Sequence, residues 1–350
     1  MKMFFWIFLS ILVFFVTFFL WASYPWSIGE KMVALPVLDV EPVDMIEIPE
    51  APSVVKILTY NIGFLYGRGS EGPGYEFREK EFYEKALKRV SDEIKELGTE
   101  IVFLQEVDFE ASRSHDINQA RVIAKNAGYP YVAEAPSWES NYIPFPYWPL
   151  KNNFGRVLSG GAILSKYPLS DHEVVFLAKP LSQPWWYNFF YLHRYFQKAT
   201  VHLGNKKFKL VNLHLEAFDK VDRKSQVEKL VEVIKQENVD IVGGDFNMLP
   251  PSASRRSKFY NDDNYEDDDS YQVMLTSGLQ EVIPDEIYAK DEVKFFTFPS
   301  WSPDRRLDYI WYRRDLKMMK AEVIPSASSD HIPLRASFQI DGPRFNPYSL

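Results

Sequence analysis

Between residues 54 and 342 the chain alternates short β-rich runs with helical stretches, and this alternation limits its possible folds more than any other feature. The runs are Lys56 to Ile62, Ile101 to Gln105, Gly161 to Leu164, Lys207 to Leu213, Asp240 to Gly243, Leu307 to Tyr312 and Leu334 to Ile340. Between them, the stretch from Glu76 to Leu97 sets Phe77, Phe82, Ala86, Val90, Ile94 and Leu97 near helical spacing, and "DRKSQVEKLVEVIKQ" after His214 has the same character. Strands interleaved with helices build layered α/β or α+β domains. A chain of 350 residues, 46% apolar and 25% charged, has the material to bury one large core of this kind.

The two ends and the spacer read differently. From Met3 to Ala22 about twenty residues carry no charge, the length a helix needs to cross roughly 30 Å of hydrocarbon. A cleaved secretory signal is the competing reading, but its apolar region is shorter, about 7 to 15 residues, and "LWAS" is a poor cleavage site. Residues 1–26 are therefore expected to be a single-pass transmembrane anchor, with Trp21, Tyr24 and Trp26 at the interface. Lys2 and the amino terminus precede the span, which puts the body outside the cytoplasm. Residues 27–53, with Pro36, Pro42, Pro49 and Pro52 and no sustained period, read as an extended linker, and residues 343–350 as a tail.

Composition narrows the chemistry. Cysteine is absent, which removes disulfides, thiolate metal sites and cysteine nucleophiles together. A net charge of −8 gives no whole-surface basic field for nucleic acid, although a local basic groove would suffice.

Polar residues recur where the β-rich runs end. Asn61 closes the first run and Glu106 the second; His214 sits in "VNLHLEAF", Asp245 and Asn247 in "IVGGDFNMLP", Asp308 in "LDYIWY", and Asp330 and His331 in "SSDHIPL". Each one alone is ordinary turn or capping chemistry. Together they can converge on one edge of a sheet, where layered folds place ligands. In an extended chain Asp245 and Asn247 point to one side while Phe246 points back to the core. The glycines before them are expected to let backbone approach substrate.

In this order, "TYNI", "FLQEV", "GGAILSKYPL", "LHLEA", "GGDFN", "RLDYIW" and "SDHIPL" resemble the endonuclease/exonuclease/phosphatase superfamily of metal-dependent phosphodiesterases, over about residues 55 to 340. The resemblance implies an α+β fold, a four-layer α/β/β/α sandwich of two packed mixed β-sheets flanked by helices, here preceded by one transmembrane helix. It also implies an Mg²⁺ site, with Mn²⁺ as the substitute, at Glu106 with Asn61 and Asp330; a hard cation of this kind takes oxygen ligands. His331 resembles the general base on the attacking water, with Asp308 fixing its tautomer. Asp245 and Asn247 resemble the groups that meet the phosphate and the water. His214 resembles the deoxyribonuclease, neutral sphingomyelinase and inositol phosphatase branch, and a second imidazole could protonate the leaving oxygen.

Two insertions bear on substrate. Residues 137–149, "SWESNYIPFPYWP", are rich in rings, and eight of the twelve residues from Trp185 to Phe196 are aromatic. Ordinary burial, contact with a bilayer and stacking of bases on a single strand are the three readings. Trp185, Trp186 and Tyr187 are the candidates for substrate or membrane contact. Arg223 and Gln226, a turn into the helix after His214, read either as orienting the site from behind or as surface pairs, with Arg223 also a candidate substrate contact. The acidic run "NDDNYEDDDS", residues 261–270, lacks the glycine and closing glutamate of a calcium loop and reads as a solvated insertion.

The sequence therefore points to a membrane-tethered, Mg²⁺-dependent phosphoesterase, with a phospholipid favoured as substrate. The alternatives are an extracytoplasmic nuclease and a catalytically silent anchored scaffold. The complete polar set weighs against the scaffold.

Overall fold

The computed structural model describes residues 2–26, 29–40, 50, 52–67, 75–260 and 263–340. The tail 343–350, and the linker prolines Pro42 and Pro49, lie outside the described residues. Two seven-stranded mixed sheets form the centre of the domain.

The first sheet runs, edge to edge, β1 (Lys31–Ala34), β7 (Leu169–Phe176), β8 (Tyr195–Leu203), β9 (Lys206–His214), β10 (Ile241–Asp245), β12 (Asp308–Tyr312) and β11 (Gln280–Glu281). The second runs β13 (Lys317–Val323), β14 (Leu334–Gln339), β3 (Val54–Asn61), β4 (Ile101–Asp108), β6 (Gly155–Ser165), β5 (Tyr131–Ile143) and β2 (Val37–Asp39). In each sheet one central pair is parallel, β9 with β10 and β3 with β4. The connection between each parallel pair contains a helix, as a parallel crossover requires: α2 (Lys80–Leu97) between β3 and β4, α5 (Lys220–Glu237) between β9 and β10.

Three apolar clusters explain the layering. Between the sheets, Ile57, Phe103 and Ile163 of one meet Val201, Leu210 and Ile310 of the other. On the outer face of the second sheet, Tyr83, Leu87, Val90 and Ile94 of α2 and Ile123 of α3 (Gln119–Ala127) cover Leu58, Val102 and Leu164. On the outer face of the first, Val227, Leu230 and Ile234 of α5 cover Val211, Val242 and Trp311. Because successive residues of a strand face opposite ways, central strands buried on both faces are apolar nearly throughout. The result is the α/β/β/α sandwich expected from the sequence.

A polar bridge ties the two sheets together. Gln105 Nε2 donates to Asn212 Oδ1 at 2.6 Å and to Thr59 Oγ1 at 3.2 Å, while Asn212 Nδ2 donates to the Leu104 carbonyl at 3.0 Å. All of these groups are buried, so losing one partner would strand another at a cost of about 1–3 kcal/mol.

Several local expectations change. Helix α2 begins at Lys80, not Glu76; the backbone groups of Glu76 are engaged instead by Tyr66, whose hydroxyl accepts from its N–H and donates to its carbonyl, both at 2.9 Å. The stretch expected to be a free linker supplies an edge strand to each sheet: β1 pairs with β7 and β2 with β5. The acidic run is only partly solvated. Asp268 is buried against Arg223 at 2.9 Å and caps Ser270, and Asp263 pairs with Arg305 at 2.8 Å.

At the N-terminus, α1 (Lys2–Ala22) is long and apolar enough to cross a membrane. At 1.5 Å per residue its 21 residues extend about 30 Å. Its C-terminal end packs on the domain: the Phe19 ring lies 5.3 Å from Phe190 and 6.3 Å from Trp185, and Asn141 Nδ2 donates to the Trp21 carbonyl at 2.9 Å.

Candidate active site

The strand-end polar residues meet at one end of the sandwich, and the strand register explains how. In the first sheet Asp245 sits directly beside His214 on one side and Asp308 on the other. In the second, Asn61 ends β3 beside Gln105 of β4. Glu106 follows at a β-bulge: Leu104 pairs with Ala162 and Val107 with Gly160, so two residues of β4 oppose one of β6, and Glu106 takes φ +52°. A bulge of this kind re-aims a side chain, here toward the facing sheet.

Asn61 then joins the two sheets. Its Nδ2 donates to Glu106 Oε1 at 3.2 Å and to Asp245 Oδ2 at 3.1 Å, while its Oδ1 accepts from the Gly63 N–H at 3.0 Å. His331 Nδ1 bonds Asp308 Oδ2 at 2.8 Å, and its Nε2 stands 3.6 Å from Asp245 Oδ2. His214 Nε2 faces the same Asp245 oxygen at 3.6 Å and Glu106 Oε1 at 3.9 Å. Asp330 lies at the flank, its Oδ1 accepting from Ser329 Oγ at 3.0 Å, and that same hydroxyl also donates to the Asn61 carbonyl at 2.8 Å.

Burial and charge set the protonation of this group. For His331 burial pulls the imidazole down, but the Asp308 and Asp245 carboxylates outweigh it and hold the pKa well above the ordinary histidine value. For His214 burial, the Arg194 guanidinium and His331 all act in one direction and push it well below. Asp245 is pushed up to about 7, by burial first and the neighbouring Asp308 next, with His331 opposing.

The donor set suits a hard divalent cation. The Glu106 and Asp245 carboxylates converge on the Asn61 amide in a small buried volume, and carboxylate oxygens are what such a cation prefers. On the other flank, ligand atoms of Asp245, Asp308 and His331 lie within 4.8 Å of one another, and Asp308 Oδ1 is buried without a hydrogen-bond partner among the described residues. Glu106 and Asp245 make the better oxygen pair, because the imidazole on the second flank is a softer ligand already engaged at Nδ1; Asn61, whose Nδ2 faces both carboxylates while its Oδ1 accepts from Gly63, would join them as a ligand by turning its amide over.

Four expectations are corrected by this geometry. The glycines of "GGDFN" do not face substrate. A Cβ on Gly243 would lie 2.7 Å from the Phe103 ring of the facing sheet, and one on Gly244, at φ +149°, would lie 2.1 Å from the Leu213 carbonyl. They permit close strand and sheet packing. Asn247 reaches Asp245 through a turn and not by strand alternation: at φ +51° its N–H donates to Asp245 Oδ1 at 3.0 Å, and its Nδ2 donates to the Leu215 carbonyl at 3.0 Å. His214 is neutral and accepts at Nε2 from Arg194 Nη1 at 2.6 Å, which does not suit it to donate a proton from that nitrogen. Arg223 is buried, its guanidinium held by Asp268 and by the Glu216 and Ala217 carbonyls, so of its readings the brace behind the site agrees with the geometry and the surface pair and substrate contact do not. Gln226 does the same, its Oε1 accepting from the Glu216 N–H at 2.8 Å.

Arg194 is the residue whose place beside His214 the sequence reading missed. The signal was present: Gly204–Asn205 between Leu203 and Lys206 is a two-residue hairpin turn, and counting back from it pairs Tyr195 with His214. Arg194 also faces Glu216 Oε2 at 3.5 Å, and Tyr191 donates to Glu216 Oε1 at 3.0 Å. The two aromatic insertions touch through Trp138, whose indole N–H donates to the Phe190 carbonyl at 2.8 Å. Trp185 and Trp186 are exposed and Tyr187 is half-buried.

Comparison with known proteins agrees with this architecture. Among solved structures, an endonuclease/exonuclease/phosphatase from Beutenbergia cavernae superposes with a TM-score of 0.57 at 17% identity, over 82% of this chain and 72% of that one. A family protein from Leptotrichia buccalis gives 0.53 at 16%, over 81% and 99%. The human Nocturnin catalytic domain with bound sulfate gives 0.53 at 18%, over 88% and 97%. No curated protein sequence matches. The family model described as Endonuclease/Exonuclease/phosphatase family matches residues 58–331. The chain belongs to that family, whose members are metal-dependent phosphoester hydrolases.

Proposed function

We propose that this chain is a membrane-tethered, Mg²⁺-dependent phosphodiesterase that hydrolyses a phospholipid by in-line attack of water. The observation that carries the chemistry is the buried constellation in which Asp308 holds His331 at 2.8 Å while His331 Nε2 and Asn61 Nδ2 both face Asp245, beside Glu106. Glu106 and Asn61, with Asp245 adjoining and Asp330 at the flank, would hold the cation, which when bound neutralises charge on the phosphoryl oxygens.

His331 takes the proton of the attacking water at Nε2, and Asp308 keeps Nδ1 protonated so that Nε2 is the basic nitrogen. Asp245, which His331 and Asn61 both approach, orients that water. Asn247, through the turn that binds Asp245 Oδ1, fixes this carboxylate and adjoins the phosphate. Arg194 and neutral His214 stand across the phosphate; the guanidinium supplies positive charge to the departing oxygen.

The docking of α1 on the aromatic segment supports the lipid reading, and exposed Trp185 and Trp186 beside its end suit a bilayer interface. In the same reading the domain lies on the extracytoplasmic side. The test uses the full chain, because β1 and β2 lie before residue 54. Mixed-lipid liposomes, single-stranded DNA and RNA are each incubated with Mg²⁺ or EDTA. Release of a water-soluble phosphorylated headgroup that requires Mg²⁺ supports the proposal. Metal-dependent cleavage of nucleic acid with lipids untouched overturns it in favour of the nuclease.

A further inference from the structure

Beside the polar constellation lies a cavity of about 460 Å³, within the roughly 300–1,000 Å³ range of small-molecule sites. Its inner wall includes Glu106, Arg194 and His214, so it is continuous with the site. Most of the remaining wall is rings and aliphatic groups, among them Phe64, Trp138, Ile143, Phe145, Phe154 and Phe190. Of the polar groups among these walls, the Tyr195 hydroxyl is buried without a hydrogen-bond partner among the described residues, while Arg113 and Ser159 deeper in the wall are engaged. Arg113 is paired with buried Asp108 at 2.8 Å and stacked on Phe64 at 3.8 Å, and Ser159 donates to Asp108. A nucleobase, with several donors and acceptors on its edge, would find one buried unpartnered hydroxyl to answer them, whereas an alkyl chain needs nothing more.

The mouth of the cavity indicates where such a chain would come from. Tyr147, Trp186 and Phe218 line the cavity and are also 61%, 49% and 63% exposed, an apolar rim that water covers poorly. Phe190 lines the cavity and touches Phe19 of α1, so one ring separates the apolar helix from the pocket. The end of α1 and the residues just beyond it carry Trp21, Tyr24 and Trp26, residues that settle at a membrane interface. A helix inserted to that depth sets the rim at the boundary between headgroups and acyl chains.

We propose that this aromatic cavity is the acyl-chain subsite of the enzyme, taking one tail of a phosphoester lipid from the membrane that α1 enters while the phosphate rests at Glu106, His214 and Arg194. The inference deepens the lipid reading above and rests on it. A tail moving from bilayer to cavity exchanges one apolar setting for another, so it leaves the membrane at little cost. A short-chain ester dissolved in water behaves differently: each methylene that enters the cavity leaves water, a gain of roughly fourfold in kcat/KM per methylene.

The experiment uses the full chain in nanodiscs with Mg²⁺ and p-nitrophenyl alkyl phosphates of increasing chain length, below their micellar concentrations, with the methyl ester as the tail-free reference. The expected result is a steep rise of kcat/KM with length that levels off when the cavity is full. Ile143→Trp, which fills the cavity, should flatten the rise and leave the methyl ester unchanged. Phe145→Ala, which enlarges it, should move the plateau to longer chains. The Ile143→Trp variant should also slow release of headgroup from the nanodisc lipid. A methyl ester cleaved with no length dependence, or a dependence that Ile143→Trp leaves intact, overturns the proposal. If no ester is cleaved, the phosphoesterase reading fails first. Calorimetric binding of alkyl phosphates then decides the cavity alone: length-dependent affinity lost in Ile143→Trp upholds the subsite, and its absence overturns it.

Discussion

Replacing Asp308 with Asn keeps the shape of the group that faces His331 and removes its charge. The bond is 2.8 Å long and both residues are buried, so solvent screens little of it. A hydrogen bond to a charged partner contributes about 1.5–3 kcal/mol. At about 1.36 kcal/mol per tenfold, its loss slows hydrolysis roughly 10- to 150-fold once His331 carries the proton in the transition state. The pH profile moves too, and its direction follows from the causes of the shift. Burial alone depresses the imidazole; Asp308 and Asp245 together lift it well above the ordinary value. A general base acts in its neutral form, so the rate climbs as pH rises through its pKa. Without Asp308 that pKa falls, and the acid limb of kcat/KM shifts to lower pH while the plateau drops. The profile is measured from about pH 5 to 9, the range in which a histidine titrates, on a tail-free phosphodiester at saturating Mg²⁺. Loss of folded enzyme would lower the curve without moving it. A variant with the wild-type plateau, or with its limb moved toward alkaline pH, would refute the assignment of Asp308 and His331.

Other outcomes follow from single groups. Glu106→Gln should raise the Mg²⁺ concentration needed for half-maximal activity at least tenfold, and a metal titration followed by both rate and thermal shift checks it; an unchanged midpoint places the cation elsewhere. Gly244→Ala would put a Cβ 2.1 Å from the Leu213 carbonyl at φ +149°, so a loss of about 3 kcal/mol or failure to fold is expected, and denaturant melts decide. Lys179 is buried, its pKa pushed down to about 7 by burial and by Lys31, with Nζ donating to the Asn188 carbonyl at 2.7 Å. The unfolded chain holds that proton up to about pH 10.5, so this residue's contribution to stability rises with pH between about 7 and 10.5. Lys179→Met should therefore flatten the difference between denaturation at pH 7 and at pH 10, and an unchanged pH dependence would contradict the neutral lysine.

Much of the candidate site was legible because its members sit at or near the ends of strands. Asn61, Glu106, His214, Asp245, Asp308 and His331 could be found from local order, and the sheets bring them together through register. Local order could not show the bulge that turns Glu106, since a bulge is defined by the partner strand. Nor could it show Arg223 on Asp268, a pairing across 45 residues that converts part of an acidic run from solvated surface to buried brace. The glycines were misread for the same reason: what a missing Cβ makes room for depends on Phe103 and Leu213, which belong to other strands. Edge strands β1 and β2 carry short, proline-flanked runs whose structure comes from pairing and not from intrinsic pattern. Arg194 was within reach, since the Gly204–Asn205 turn sets the hairpin register that delivers it to His214.

The most direct measurement is hydrolysis of bis(p-nitrophenyl) phosphate by the full chain, wild type and His331→Ala, each with Mg²⁺ and with EDTA. The account predicts turnover by the wild type with Mg²⁺, none above background with EDTA, and a loss of at least a hundredfold in the variant while its thermal unfolding stays cooperative. Turnover that survives EDTA, or a folded His331→Ala that cleaves at the wild-type rate, would contradict it.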